Sequence, residues 1–150
     1  MKYKTTNECG YFSFRGACVA QMMQMNGYFT ATLDNVTILP ENSCNRDVRN
    51  MRTNNLQLTI REGRIISLIE EGYKIYDANG MLTQQHEDRE VPVAEYQTML
   101  ETFEGSELYE IEKKDDCYHI AVDADDHTYL IKVTGTADLE EWDRFLNLSE

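Results

Sequence analysis

Three consecutive segments in the last third of the chain alternate between apolar and polar residues, and this alternation constrains the fold more than any other feature. The segments cover residues 107–113, 117–123 and 127–133, and short acidic turns separate them. Successive side chains of a β-strand point to opposite faces of a sheet, so a period of two predicts three strands with one buried and one solvated face. Because such short connections join antiparallel neighbours, the segments predict a meander.

The two faces of this predicted meander carry different chemistry. The face expected to be buried is apolar and aromatic, and it collects Tyr109, Ile111, Tyr118, Ile120, Val122, Tyr129, Ile131 and Val133. The face expected to meet water is polar, and it collects Glu110, Glu112, Cys117, His119, Thr128 and Lys132. A sheet of this kind needs another layer against its apolar face.

Further strands are predicted earlier in the chain from β-branched and aromatic residues between turn signals. Asp34-Asn35 is typical of a turn, and it separates two of these strands. The predicted strands cover residues 28–33, 35–39, 56–61, 64–70 and 73–77.

Two helices are predicted in the first third of the chain. Residues 16–26 are rich in helix-forming residues, which favours a helix, although the following Asn26-Gly27 is also typical of a hairpin between two strands. Asn45 is predicted to cap a short helix that carries Val48 and Met51 inward.

Two more helices are predicted in the second half. Residues 92–105 begin with Pro92 in a position that suits the first turn, and apolar residues follow at helical spacing. Residues 137–147 follow Thr136, whose side chain is a suitable cap. The face of this C-terminal helix predicted to be buried contains Leu139, Trp142, Phe145 and Leu146.

These elements together predict a single α+β domain over residues 1–150. The expected architecture is a strongly bent antiparallel meander sheet or a partly open barrel, packed by two or three helices that include the C-terminal amphipathic helix. In its order of elements, a meander closed by such a helix is similar to a pleckstrin-homology-like barrel.

The charged residues are divided unevenly along the chain. The formal net charge is −13, with 9 basic and 7 acidic residues in positions 1–75 and 5 basic and 20 acidic residues in positions 76–150. This asymmetry predicts a polarised surface, which attracts partners of opposite charge. The acidic side is predicted to consist of Glu110, Glu112, Asp115, Asp116, Asp123, Asp125 and Asp126, and a basic patch is predicted at Arg46, Arg49, Arg52, Arg61 and Arg64.

The leading functional hypothesis is a non-catalytic interaction module that presents the acidic side to a basic protein partner, as inhibitors, immunity proteins and DNA mimics do. The chain contains no phosphate loop, no dinucleotide fingerprint and no nucleophile elbow, so we predict no enzyme activity, no cofactor and no metal site. The acidic balance argues against direct nucleic-acid binding. The arginines of the basic patch are expected to pair with the acidic half of the same molecule or of a second copy, which would make a homodimer.

Two alternatives remain open at this point. Nine tyrosines could line an aromatic cavity in a small-molecule-binding barrel. Cys117 and His119, with Glu110 or Glu112 from the next strand, could instead serve a hydrolase or a metalloenzyme. Neither a membrane span nor an export signal is recognisable, so we expect a cytoplasmic protein whose four cysteines are reduced.

Overall fold

The computed structural model describes residues 1–147, and it is built almost entirely from strands. Of these residues, 56% lie in strands and 9% in helical turns. The antiparallel sheet of the sequence-based prediction is confirmed, but the α+β class with two or three packed helices is wrong. No helix in the described part of the chain is long and apolar enough to span a membrane.

The helical elements are one short α-helix and two 3-10 turns. The helix is α1 (Tyr96–Thr102), and the turns cover Cys9–Tyr11 and Val93–Glu95. The strands in chain order are β1 (Tyr3–Thr6), β2 (Phe12–Ser13), β3 (Cys18–Met25), β4 (Tyr28–Asp34), β5 (Val36–Ile38), β6 (Met51–Thr53), β7 (Leu56–Arg61), β8 (Arg64–Glu70), β9 (Tyr73–Tyr76), β10 (Leu82–His86), β11 (Arg89–Glu90), β12 (Glu107–Lys114), β13 (Cys117–Ala124), β14 (His127–Thr134), β15 (Ala137–Trp142) and β16 (Leu146–Asn147).

Ten of these strands form one antiparallel sheet in the order β1-β15-β7-β4-β3-β12-β13-β14-β8-β11. Strands β7 and β8 are third and ninth in this order, yet only Glu62 and Gly63 separate them along the chain. The sheet must therefore curl until both strands meet at one corner. Across this corner the Gly63 amide donates to the Gly27 carbonyl at 2.9 Å.

The curled sheet encloses one hydrophobic core between its two halves. Strand β4 contributes Phe29 and Leu33 to this core, and strand β13 contributes Ile120 and Val122. These side chains are almost completely buried. The three strands predicted at 107–133 are β12, β13 and β14, and the meander they form is confirmed.

The C-terminal helix predicted over residues 137–147 is wrong, because this segment forms strands. Strand β15 pairs with β7 on one side and with β1 on the other. Its inward side chains are Asp138, Glu140 and Trp142, whereas Leu139 is only half-buried. Leu139 and Trp142, three residues apart, would share one side of a helix, but in the strand they lie on opposite faces and two acids take the inward positions beside Trp142.

The helix favoured over residues 16–26 is also wrong. The segment forms β3, which pairs with β4 through a hairpin at Asn26-Gly27. Both turn residues have positive φ, 51° and 82°, as the tight turns that suit paired strands require. The competing hairpin prediction is therefore confirmed.

The short helix expected after Asn45 does not form. Asn45 is buried in a loop, where its side-chain amide donates to the carbonyls of Ile38, Leu39 and Arg49. Val48, predicted to point inward, is 92% exposed. The helix predicted over 92–105 does form, but as a 3-10 turn followed by the seven residues of α1.

The turn predicted at Asp34-Asn35 is a bend rather than a reversal. The Asn35 amide donates to Asn54 Oδ1 at 2.9 Å, and the Asn55 amide donates to Asp34 Oδ1 at 2.8 Å. Beyond these two hydrogen bonds, β5 follows β4 and β6 precedes β7. Strands β5 and β6 pair with each other in a separate four-stranded sheet, ordered β16-β6-β5-β2. The bend thus moves both strands from one sheet to another.

Candidate functional site

The seven acids predicted to form one surface lie in three places. Glu110 and Glu112 are on the outer face of β12, and Asp115 with Asp116 forms the turn after it. Asp123 lies near the opposite end of β13, six residues from Cys117, and Asp125 and Asp126 form the turn after it. At about 3.4 Å per residue, the two acidic ends are roughly 20 Å apart.

The predicted basic patch does not neutralise these acids. Among the seven, Glu112 alone has an ion-pair partner within residues 1–147, and that partner is Lys114 at 3.8 Å. Arg49 binds Asp47 at 3.0 Å instead. The five arginines themselves are divided: Arg46 and Arg49 lie in the loop between β5 and β6 and Arg52 lies in β6, whereas Arg61 and Arg64 flank the β7–β8 corner.

A groove of about 450 Å³ runs across the outer face of the meander. Side chains of Ala121 on β13 and Leu130 on β14 lie at its base, and these two residues are directly paired. Leu130 is exposed, although it is a large apolar residue. The structure thus provides an open apolar surface on a face that the sequence predicts to be polar.

Four carboxylates surround this apolar base. Three of them, Glu110, Glu112 and Asp123, belong to the predicted acidic set, and Glu71 joins them from the end of β8. The cationic side of the lining consists of Lys132, and His119 lies beside it. His119 lies between Glu112 and Lys132 in the cross-strand row. The groove is therefore predominantly negative.

Tyr109 also lines the groove, because a β-bulge turns it outward. The register of β12 and β13 shifts between Leu108 and Glu110, which leaves Tyr109 between two paired residues. Its side chain is 49% exposed, so the predicted inward orientation is wrong. The bulge allows Leu108 and Ile111, three residues apart, to lie on the inner side, and this spacing is the sequence signal that could have revealed it.

A guanidinium group already lies on the exposed ring of Tyr109. The Arg15 Cζ atom is 4.9 Å from the ring centroid, which is a cation–π contact. This contact shows that the edge of the groove is compatible with an arginine side chain.

Cys117 and His119 lie on one face, as predicted, and within residues 1–147 no hydrogen bond joins them. Cys117 is opposite Lys114 and Thr134, and it does not line the groove that contains His119. No group of three histidine, cysteine, aspartate or glutamate residues converges on a metal-binding geometry within the described part of the chain. The hydrolase and metalloenzyme alternatives therefore gain no geometric support.

The core formed by residues 1–147 gives no support to the barrel-type ligand cavity either. Tyr118, the most deeply buried tyrosine, packs in the core instead of lining a cavity. Fully buried side chains such as Trp142, Phe29 and Phe103 occupy the space between the halves of the sheet.

Sequence reasoning missed a buried polar network on the inner face of β15. Asp138 Oδ2 accepts a hydrogen bond from the Tyr118 hydroxyl at 2.6 Å, and Asp138 Oδ1 accepts one from the Cys9 amide at 3.0 Å. Glu140 Oε1 accepts a hydrogen bond from the Thr5 hydroxyl at 2.7 Å. If residues 137–142 are read as a strand, the alternation places both acids on one face, and this is the signal that could have found them.

The two buried carboxyl groups differ in protonation. Burial, together with the hydrogen bond and charge of Asp138, raises the pKa of Glu140 to about 9. Burial alone would also raise the pKa of Asp138, but hydrogen bonds from Glu140 and Tyr118 outweigh it and lower that pKa below its ordinary value. Glu140 is therefore protonated near neutral pH, and its proton binds the Asp138 carboxylate.

The nearest cation to this network is Lys113. Its Nζ atom is 3.6 Å from Asp138 Oδ2, and the residue lies on the inner side of β12 beyond the bulge. Burial and the neighbouring charges of Asp138 and Glu140 raise the pKa of the Cys9 thiol. Cys9, Asp138 and Glu140 are buried, whereas the Lys113 side chain is one-third exposed, so the network lies at the edge of the core with Lys113 between it and solvent.

Comparisons with protein-family models, with curated proteins and with solved structures find no match to this chain. Its function is inferred from its own geometry and charge. Among the described residues, those of the outer-face groove combine an exposed apolar base with a predominantly negative lining.

Proposed function

We propose that this protein is a non-catalytic interaction module that presents an acidic surface to a basic protein partner. The observation that carries the proposal is the lack of internal neutralisation. Six of the seven predicted acids have no ion-pair partner within residues 1–147, and all seven are exposed or half-buried. A surface with this much uncompensated charge attracts cations over a distance of about 8–10 Å at ordinary salt.

The geometry of the turns explains part of this acidity. Asp115, Asp125 and Asp126 have positive φ, and aspartate tolerates this conformation in tight turns. Asparagine or glycine would serve those turns equally well without adding charge. Glu110 and Glu112 occupy strand positions with no such requirement, so turn geometry does not account for them.

The type of partner follows from this charge. Proteins that inhibit nucleases or nucleic-acid-binding proteins often present carboxylates where the target expects phosphates, and the acidic face of β12–β14 would suit such a basic target. We further propose a cytoplasmic location, which the four free thiols of Cys9, Cys18, Cys44 and Cys117 would suit.

The proposal is tested by the kinetics of association. Cross-linking in the native host followed by mass spectrometry would identify the partner, and stopped-flow mixing of the purified pair would measure the association rate constant at 25–500 mM salt. We expect the logarithm of this rate constant to fall steeply as ionic strength rises. An acidic partner, or a rate constant insensitive to salt, would contradict the proposal.

Matched variants separate the acidic face from the net charge of the molecule. The test variant replaces three acids at one end of the meander, Asp123→Asn/Asp125→Asn/Asp126→Asn. The control removes the same charge from exposed positions outside the meander, Glu41→Gln/Glu62→Gln/Glu101→Gln. We expect the test variant to associate several-fold more slowly than the control at low salt.

A further inference from the structure

We infer that the groove on the outer face of β12, β13 and β14 is the docking site for an extended, arginine-containing segment of the partner. This inference rests on the proposed function and adds to it the location and chemistry of the contact. The proposed occupant of the groove is a protein segment with arginine at alternate positions.

The shape of the groove suits a chain of this kind. Its volume of about 450 Å³ is open along the sheet face, and Ala121 and Leu130 form an apolar base. An extended segment directs every second side chain to the same side, at intervals of about 7 Å. Glu110 and Glu112 are two residues apart on a strand, so their carboxylates recur at the same interval. A segment of the form Arg-x-Arg can therefore face both acids at once.

The charges of the groove determine the sign of its occupant. Glu71, Glu110, Glu112 and Asp123 line it, and Lys132 is the lysine that faces them. These carboxylates would repel an anionic segment, and a purely apolar segment would cover Glu71 and Glu110 without giving their carboxylates a partner. A cationic segment satisfies the carboxylates while its side-chain stems cover the apolar base.

Tyr109 favours arginine over lysine. The guanidinium group stacks on aromatic rings and binds carboxylates through two parallel hydrogen bonds, which an ammonium group cannot do. The Arg15 guanidinium lies 4.9 Å from the Tyr109 ring centroid, so the ring already takes part in this type of contact. The bulge that exposes Tyr109 places it beside Glu110, so an arginine of the partner can contact the Glu110 carboxylate and take the place of Arg15 on the ring.

The test uses the full chain and a defined probe. Fluorescence anisotropy would measure the affinity of a labelled nonapeptide in which arginine and alanine alternate. Two further nonapeptides, with lysine or glutamine in place of arginine, provide the comparison. We expect the arginine peptide to bind most tightly, the lysine peptide several-fold more weakly and the glutamine peptide weakest.

Two double variants of the same hairpin locate the contact. Glu110→Gln/Glu112→Gln removes two charges inside the groove, and Asp115→Asn/Asp116→Asn removes two charges at the turn outside it. We expect the groove variant to raise the dissociation constant of the arginine peptide by about tenfold or more, since it loses two charge-assisted contacts. The turn variant should raise it by about twofold at most, because exposed and screened charges contribute little.

Tyr109→Ala tests the preference for arginine. We expect this variant to bring the affinities of the arginine and lysine peptides close together. Circular dichroism and thermal melting of every variant would verify that the fold is retained.

The outcomes separate this inference from the proposed function. Equal losses in the two double variants would overturn the groove as the docking site, yet leave a salt-dependent basic partner in place. A glutamine peptide that binds as tightly as the arginine peptide would overturn the cationic occupant. Concentration-dependent dimers that the groove variant disrupts would identify a second copy as the occupant, and would overturn the inference as well. Failure of the proposed function would instead appear as a natural partner whose association is insensitive to salt.

Discussion

The hydroxyl group of Tyr118 donates a 2.6 Å hydrogen bond to the Asp138 carboxylate in the middle of the core. The two residues belong to β13 and β15, which lie in opposite halves of the curled sheet. A buried carboxylate is costly unless it is hydrogen-bonded, and this contact contributes part of that compensation. The bond therefore connects the acidic meander to a strand in the other half of the sheet.

Tyr118→Phe is expected to lower the free energy of unfolding by about 1.5–3 kcal/mol, because it leaves a buried carboxylate with one partner fewer. Urea denaturation followed by fluorescence would measure the change. Tyr129→Phe is the control, since Tyr129 is also buried in the core but donates no hydrogen bond to a buried acid. If both variants lost the same stability, the hydrogen bond to Asp138 would not be the cause.

Glu140 is expected to make stability decline as pH rises above about 5. Its pKa is about 9 in the folded protein and 4.5 in an ordinary environment, so the folded state holds the proton more tightly. Its contribution to the free energy of unfolding is therefore fully present below pH 4.5, falls as pH rises, and is lost once pH passes about 9. The lowered pKa of Asp138 acts in the opposite sense, and its contribution is lost on acidification below the ordinary value of 3.8.

Urea denaturation at intervals between pH 5 and 9 would measure this decline. Glu140→Gln should flatten it, because the amide does not titrate and can still donate to Asp138. Glu141→Gln, at the adjacent outward position of β15, should leave the slope unchanged. A slope that persists in Glu140→Gln would assign the pH dependence to other groups.

Gly63→Ala is expected to destabilise the corner between β7 and β8 by about 2 kcal/mol or more. A Cβ atom at this position would lie 2.7 Å from both the Ile60 carbonyl oxygen and the Phe29 amide nitrogen. Backbone atoms of two paired strands cannot move away cheaply. Thermal melting would show the loss, with Gly10→Ala as the control, because a Cβ there would meet nothing within 4 Å. Equal melting temperatures for the two variants would mean that the corner can widen.

The hairpin formed by β9 and β10 is expected to exchange its amide hydrogens much faster than β4 and β7 do. Every residue of the two hairpin strands is exposed, and the hairpin forms a separate two-stranded sheet. Two strands without a buried face are only marginally stable in water. Hydrogen–deuterium exchange with mass spectrometry would measure the difference. Slow exchange in β9 would show that Tyr73, Ile75 or Tyr76 is covered in solution.

Some parts of the architecture could be predicted because they depend on neighbouring residues only. The alternation in 117–123 and 127–133 identifies two strands and their buried side chains, and the Asn26-Gly27 pair identifies a hairpin. Residues 137–142 could not be assigned in the same way, because the spacing of three between Leu139 and Trp142 favours a helix, whereas a strand requires Asp138 and Glu140 to be buried. The strand prevails because Tyr118, Thr5 and the Cys9 amide provide hydrogen bonds for the buried acids, and these partners come from distant parts of the chain.

The candidate site likewise combines features that the sequence predicts with features that only the fold determines. The amino-acid sequence by itself determined that the second half of the chain is strongly acidic and that Glu110 and Glu112 share a solvent-facing strand, since charge and strand period are local properties. Only the tertiary structure decided that Glu71 joins them, that Tyr109 turns outward and that the arginines lie elsewhere. Those outcomes depend on the register of β12, β13, β14 and β8, and register is set by the packing of the whole sheet around its core.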